Sequence, residues 1–233
     1  LKCWHNYRVK SANLATHVIL QSIAYLDFTI QNRDYTVLNL ARKPWLMNID
    51  EKSDDILRFV YLGAISEIYD FYSMIEILKQ IKKCELYIIG DGELKSELLN
   101  NLSKNNIKFT DFGIIYDENT KNDIINSCDF GFNCFKQDLI IGQSFKSLDY
   151  MAVGVPIINS LKYDTWNIVE KYNAGINYSI KDLESAYNTI NNFSRNDLLQ
   201  LRENTRNAFM NEFSIETYQR KMSEIMNSLK EVK

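Results

Sequence analysis

The chain has 233 residues, 45% hydrophobic and 24% charged, with a net charge of −3 and a pI near 5.5. That length suits one large domain or one domain plus a piece of another, and the composition is that of an ordinary globular protein with a full core. No basic run marks a nucleic-acid partner, no apolar run reaches a membrane span, and no signal-peptide pattern opens the chain, all of which suits a cytoplasmic protein.

Residues 1–55 read as the end of something. Thr16–Leu20 predicts a short strand, Ser22–Gln31 a helix and Tyr35–Leu40 another strand; Arg42-Lys43-Pro44 breaks the order, and Asn48–Asp55 is a polar, acidic linker candidate. So few elements make no core of their own and must pack against the rest or against a missing part; a first residue of Leu suggests a fragment of a longer protein. From Leu57 the pattern becomes a regular alternation. Arg58–Leu62 is an apolar strand closed by Gly63, and Asp70–Ile81 carries apolar residues at helical spacing. Glu85–Ile89 is a strand closed by Gly90-Asp91-Gly92, and Glu93–Asn101 a helix with Leu94, Leu98 and Leu99 inward. Ile107–Phe112 is a strand closed by Gly113, Asn119–Ser127 a helix and Asp129–Cys134 a strand. A helix from Ser144, a strand Pro156–Asn159, and helices near 166–172, 180–191, 196–212 and 215–230 complete the chain. Alternating strands and helices predict an α/β fold, a doubly wound parallel sheet covered on both faces.

Two features single out one edge of that sheet. Gly63, Gly90, Gly92, Gly113 and Gly142 follow strands, and ligands of doubly wound sheets bind outside the carboxyl ends of the strands. Each glycine alone is explained by a tight turn; five at one edge favour a cleft where a ligand meets bare backbone. The second feature is Ser144–Ile158, a short helix, a Gly-x-Pro stop and a buried strand. Lys146 and Asp149, three apart, share a face of the helix. A cation in the first turn opposes the helix dipole, a conflict that a bound phosphate would remove. The alternative is an exposed Lys146–Asp149 salt bridge worth about 0.3–0.5 kcal/mol. Four cysteines (Cys3, Cys84, Cys128, Cys134) and only two histidines, His5 and His17, lie at no metal-ligand spacing, so no structural zinc is expected. Cys84 reads as a buried reduced thiol, Tyr150 and Met151 as core, and Asp129 as the cap of a strand end.

The ordered set Phe59-Val60-Tyr61-Leu62-Gly63, Leu86–Gly92, Phe112-Gly113, Cys128-Asp129 and Leu148–Ile158, with Glu212-Phe213-Ser214 and Tyr218 near the end, resembles the C-terminal, donor-binding domain of GT-B glycosyltransferases of the family 4 type, retaining enzymes common in bacterial surface-polysaccharide synthesis. The resemblance covers about residues 57–232; residues 16–48 look like the tail of the family's N-terminal, acceptor-side domain, which places the boundary at 55/56. It implies a Rossmann-like sheet and transfer of a hexose from a nucleoside-diphosphate sugar to a glycan or lipid-linked acceptor. No cofactor or metal is implied, and peripheral membrane association would run through the missing N-terminal part. Asp149 falls where the family has a glutamate for the donor ribose, and a carboxylate accepts both hydroxyls of a diol. Lys146, the catalytic candidate, falls where some relatives have a lysine facing the diphosphate. The backbone of Gly142, Ser144 and Phe145 would lie against that diphosphate, Gly113, Ile114 and Ile115 near the base, and Gly63, Gly90 and Gly92 in the same cleft.

Two positions depart from the family's pattern. Ile141 stands where the first of its paired glutamates is expected, and the loop Ala64–Asp70 is acidic where an arginine and a lysine usually clamp the diphosphate. Lys146 is then the only cation left for that task. These departures support an alternative, a degenerate transferase fold serving as a non-catalytic partner or nucleotide-sugar-binding subunit. A GT-B sugar epimerase is disfavoured, because no acid–base constellation is visible.

Overall fold

The alternation after Leu57 builds a six-stranded sheet in the computed structural model, which describes residues 10–11, 14–15, 17–25, 35–47 and 55–231. The strands are β3 (Leu57–Leu62), β4 (Cys84–Ile89), β5 (Lys108–Gly113), β6 (Phe130–Asn133), β7 (Ile157–Asn159) and β8 (Gly175–Asn177). Their order is β5-β4-β3-β6-β7-β8, and every neighbouring pair is parallel. The helices are α1 (Phe71–Lys79), α2 (Lys95–Lys104), α3 (Glu118–Asn126), α4 (Phe145–Ala152), α5 (Asp164–Tyr172), α6 (Leu183–Asn192), α7 (Arg195–Glu212) and α8 (Ile215–Glu231). The chain winds outward from β3 to β5, then returns to lay β6 on the other side of β3, so the order reverses between β3 and β6.

Successive residues of β3 feed opposite faces of the sheet, as the two-residue period requires. Phe59 and Tyr61 join a cluster with Met74, Leu86, Ile88, Leu98, Phe130 and Phe132. Val60 joins a second cluster with Leu148, Met151, Val155 and Phe209. Phe59 stacks on Phe130 and Phe132 with ring centroids 5.8 and 5.5 Å apart. The helices start where their sequences can cap them: Asp70, Asp117, Ser144, Asp182 and Ser194 each accept a backbone N–H of the first turn.

At the reversal, β3 and β6 share only two register pairs, Phe59–Phe130 and Val60–Gly131. Beyond them the Tyr150 hydroxyl stands in the gap, accepting from Leu62 N (2.7 Å) and donating to Phe132 O (3.3 Å). Gly131 makes this possible, because a side chain there would occupy the Tyr150 ring.

Two further strands, β1 (Val18–Leu20) and β2 (Tyr35–Val37), form a separate parallel pair. The segment after them is fastened to the larger unit by Leu40 N to Gln143 Oε1 (3.1 Å), Arg42 N to Phe213 O (2.8 Å) and Trp45 N to Ala152 O (3.1 Å).

Several expectations need correction. Of the helix over 22–31, a 3₁₀ turn at Ile23–Tyr25 is seen, while 26–31 lie outside the described residues, as do Thr16, Cys3, His5 and most of the linker candidate. In α2 the buried stripe is Leu98 and Leu102, because the helix starts two residues later than the pattern suggested and Leu94 sits at its N-cap. β8 is a strand the sequence did not announce: three residues between two helices give too short a run for any period to show. Cys84 is only half buried; its thiol is pushed up to about 11 by desolvation. Tyr150 and Met151 are core, as expected, and Asp129 accepts from Arg58 N (2.7 Å) and pairs with Arg195 (3.2 Å).

Candidate nucleotide-sugar site

The carboxyl ends of β3, β4 and β5 are stitched together by their glycines. Gly63 N bonds Ile89 O (2.9 Å) and Gly90 N bonds Gly113 O (2.7 Å). At Gly90 (φ +150°) a Cβ would fall on the Gly63 carbonyl, and at Gly92 (φ +157°) on the backbone of Ile65. These two glycines are required by the approach of one loop to another, not by bare backbone left for a ligand. Gly142 likewise packs on the Ser22 side chain. Gly113 differs: the space where its side chain would be is empty. Ile114, 54% exposed, and Tyr116, 87% exposed, follow it.

α4 starts at this edge. Ser144 caps it, accepting from Ser147 N (3.1 Å), and Phe145 projects outward, 61% exposed. Lys146 turns the other way and is 7% exposed. Its Nζ lies over three rings, Tyr69 (3.5 Å to the centroid), Tyr61 (4.2 Å) and Phe135 (5.3 Å), and donates to the Tyr61 hydroxyl at 3.2 Å. Tyr61 in turn donates to Ala64 O at 2.5 Å. The Lys146 Cε and Nζ would lie 3.6 and 3.7 Å from a Cβ on Gly63, so the amine sits beside the first strand end. Burial lowers its pKa from 10.5 to about 7, against the opposing pull of Cys134. Burial in turn raises the thiol of Cys134 to about 12. The three rings favour the ammonium through their quadrupoles but supply no countercharge.

Asp149 lies three residues on, with different neighbours. Its Oδ1 is 3.6 Å from Arg42 Nε and its Oδ2 3.6 Å from Lys121 Nζ. Both separations exceed a hydrogen bond, so both oxygens keep the capacity to accept. Burial pushes this carboxyl up, while Lys121 and Arg42 pull it down. Arg42 also lies over the Phe145 ring, 5.2 Å from its centroid. Among the described residues Lys146 and Asp149 form no ion pair with each other, which removes the salt-bridge alternative.

Nor is Lys146 the only cation at this edge. Lys95 reaches back from the first turn of α2 to Gly90 O (3.2 Å) and Asp111 (2.9 Å), and Arg42 and Lys121 flank Asp149. Sequence reasoning missed these three because each comes from a segment remote in the chain. The local signals are slight: Lys95 lies three residues after Gly92, Lys121 near the start of α3, and Arg42 in the Arg-Lys-Pro break. Among the described residues no group of three or more His, Cys, Asp or Glu could hold a metal ion, and no helix is long and apolar enough to cross a membrane.

A family model described as "Glycosyl transferases group 1" matches residues 57–196, more than half of the chain. The chain belongs to this family. This group 1 domain also matches solved structures at low sequence identity, which shows the fold. Staphylococcus aureus TarM, solved with UDP, has a TM-score of 0.72 at 15% identity over 95% of this chain. Anabaena HepE, solved with UDP and glucose, has a TM-score of 0.74 at 14% identity over 98%. Thermosynechococcus elongatus sucrose-phosphate synthase has a TM-score of 0.76 at 15% identity over 100%. The chain spans 46% of the TarM chain, 68% of HepE and 63% of the synthase. No curated protein matches it. The fold is therefore the Rossmann-like α/β unit of GT-B glycosyltransferases.

Proposed function

We propose that this chain carries the donor-binding half of a glycosyltransferase that moves a hexose from a nucleoside-diphosphate sugar to a hydroxyl acceptor. The observation that carries the reading is the Lys146 amine, buried beside Gly63 among aromatic rings and, among the described residues, in no ion pair with a carboxylate. Among the described residues this amine has no negative partner, and it stands at the edge where doubly wound sheets take their ligands. A diphosphate supplies that partner. Asp149 would accept the ribose diol with its two available oxygens, while Gly113, Ile114 and the exposed Phe145 and Tyr116 border the space for the base. Departure of the nucleotide builds negative charge on the diphosphate, and fixed donors aimed at that charge supply most of the protein's help. Here those are the Lys146 ammonium and the N–H groups of the α4 start, beside the backbone of Gly142, Ser144 and Phe145. HepE and TarM, solved with UDP, support a uridine donor.

Within this reading residues 1–55 are the tail of the acceptor-side half and 56–233 the donor-binding unit. The enzyme is of the family 4 type, works with retention in cytoplasmic synthesis of a bacterial surface glycan, needs no metal, and takes a glycan or lipid-linked acceptor. Membrane attachment would run through the acceptor-side half. The acidic loop Ala64–Asp70 and Ile141 favour a second reading, a nucleotide-sugar-binding or partner subunit without turnover.

Calorimetric titration with UDP, GDP and their sugars tests both. Binding that is lost in Lys146→Ala and Asp149→Ala supports the donor site. Binding of no nucleotide refutes it and leaves the partner role.

A further inference from the structure

The last residues of β6, β7 and β8 are all asparagine, and they stand in register: Asn133 opposite Asn159, and Asn159 opposite Asn177. Side chains at matched positions of parallel strands lie on one face, and these three join into a chain of amides. The Ser144 hydroxyl donates to Asn133 Oδ1 (2.6 Å) and Asn133 Nδ2 donates to Asn159 Oδ1 (2.7 Å). Asn159 Nδ2 donates to Asn177 Oδ1 (2.8 Å), and Asn177 Nδ2 to Trp166 O in α5 (3.0 Å). Asn159 also brackets the next loop, donating to Leu161 O (2.8 Å) and accepting from Leu161 N (3.1 Å). Every donor points the same way, from α4 towards α5. Reversing any one amide would set two donors or two acceptors face to face, so the direction fixes itself.

Asn133 and Asn159 are wholly buried in strands otherwise built of Ile, Phe and Gly. Apolar residues would fill that space without any polar group to satisfy. A buried polar network that is fully satisfied selects one arrangement of its neighbours. Here the first neighbour is Ser144, whose hydroxyl is held at both ends: it donates to Asn133 and accepts the Ser147 N–H. The last neighbour is α5, whose Asp164 accepts from the Ser22 hydroxyl and from Ile23 N (3.2 Å) in the N-terminal segment.

We propose that the asparagine ladder Asn133–Asn159–Asn177 is a positioning device for the donor site: it locks the first turn of α4, and with it the Lys146 side chain, against the sheet edge, and it ties that turn to α5. These are positioning residues, acting on the donor through Ser144 and Lys146. The proposal rests on the donor-site reading for its purpose, and its test separates the two.

Asn159→Leu keeps the branching and the number of side-chain heavy atoms, though leucine is the bulkier group, and removes both halves of the central amide. Ile190→Ala, a buried α6 residue of the apolar core, serves as a control matched in thermal midpoint. Hydrogen exchange at the Ser147 and Leu148 amides and the rate of Lys146 acylation at pH 7 read the ladder without any nucleotide. In Asn159→Leu, exchange at these amides quickens at least tenfold and acylation of Lys146 at least fivefold. In the control neither moves by more than twofold beyond the global change. Asn159→Asp keeps the outline and, once its carboxyl is protonated, the acceptor and one of the two donations of the amide, so its amide protection returns part of the way towards wild type as the pH falls. UDP affinity falls at least tenfold in Asn159→Leu and stays within twofold in the control. Unchanged exchange and labelling in Asn159→Leu, or equal changes in the control, overturn the ladder. A wild-type chain that binds no nucleotide, with the exchange result intact, overturns the donor reading and leaves the ladder's hold on α4 supported.

Discussion

Lys146→Met is expected to make the fold more stable while removing the cation from the site. The buried amine titrates near 7 instead of 10.5; at 1.36 kcal/mol for each tenfold change in proton affinity, holding the ammonium there costs about 5 kcal/mol. The gain at pH 7 is therefore several kcal/mol, each worth about 2–4 °C in thermal midpoint for a chain of this size. Methionine is unbranched, nearly matches the lysine stem and packs well on aromatic rings, so the substitution opens little cavity. The pH dependence gives a second signature. Between about pH 7 and 10.5 the unfolded chain holds a proton that the folded chain lacks, so wild-type stability from this group rises with pH across that window. The advantage of the variant is therefore full below pH 7 and vanishes near pH 10.5. Urea unfolding of both proteins at pH 6, 7, 9 and 10 measures it. A loss of stability at pH 7, or a gain that does not shrink with rising pH, refutes the desolvated-lysine account.

The same amine sets a pH profile for ligand binding: UDP affinity is highest below about pH 7, where Lys146 is charged, and falls as the pH rises to 9, as read by calorimetry at fixed ionic strength. Asp149→Asn keeps the shape but removes the charge-assisted acceptors, and is expected to weaken UDP binding by about ten- to a hundredfold, the equivalent of about 1.5–3 kcal/mol. A glycine pair separates loop packing from open space. Gly90→Ala drives a methyl into the Gly63 carbonyl and leaves little soluble protein, whereas Gly113→Ala meets no atom and loses about 1 kcal/mol, the left-handed backbone cost, in urea titration.

The frame of the sheet is legible in the chain because β3 and β4 are largely apolar runs followed by glycine, and α1 has a clean stripe of Met74, Ile75, Ile77 and Leu78. Ser144–Ile158 is legible for a related reason: capping serine, helix period, Gly-x-Pro stop and buried strand follow one another locally. The placement of Lys146 at the edge follows from those local rules. Its aromatic surroundings do not, since Tyr61, Tyr69 and Phe135 come from a strand and two loops that meet only when β3 and β6 become neighbours. Arg42 beside Asp149 is hidden in the same way, 107 positions back along the chain. The ladder hides differently. An asparagine at the end of a strand looks like an ordinary turn former, and only the parallel register turns three such residues into one connected row.

The Tyr150 hydroxyl between β3 and β6 has a consequence for the shape of the crevice. Where two strands part, the rungs of the ladder run out, and the orphaned Leu62 N–H and Phe132 C=O would otherwise draw the strands together or call in water. A phenol holds them apart at a fixed spacing, and the absent side chain at residue 131 is its seat. The mouth of the molecule is thus propped open by a single rigid strut on the helix that carries Lys146 and Asp149, so whatever shifts that helix also resizes the opening.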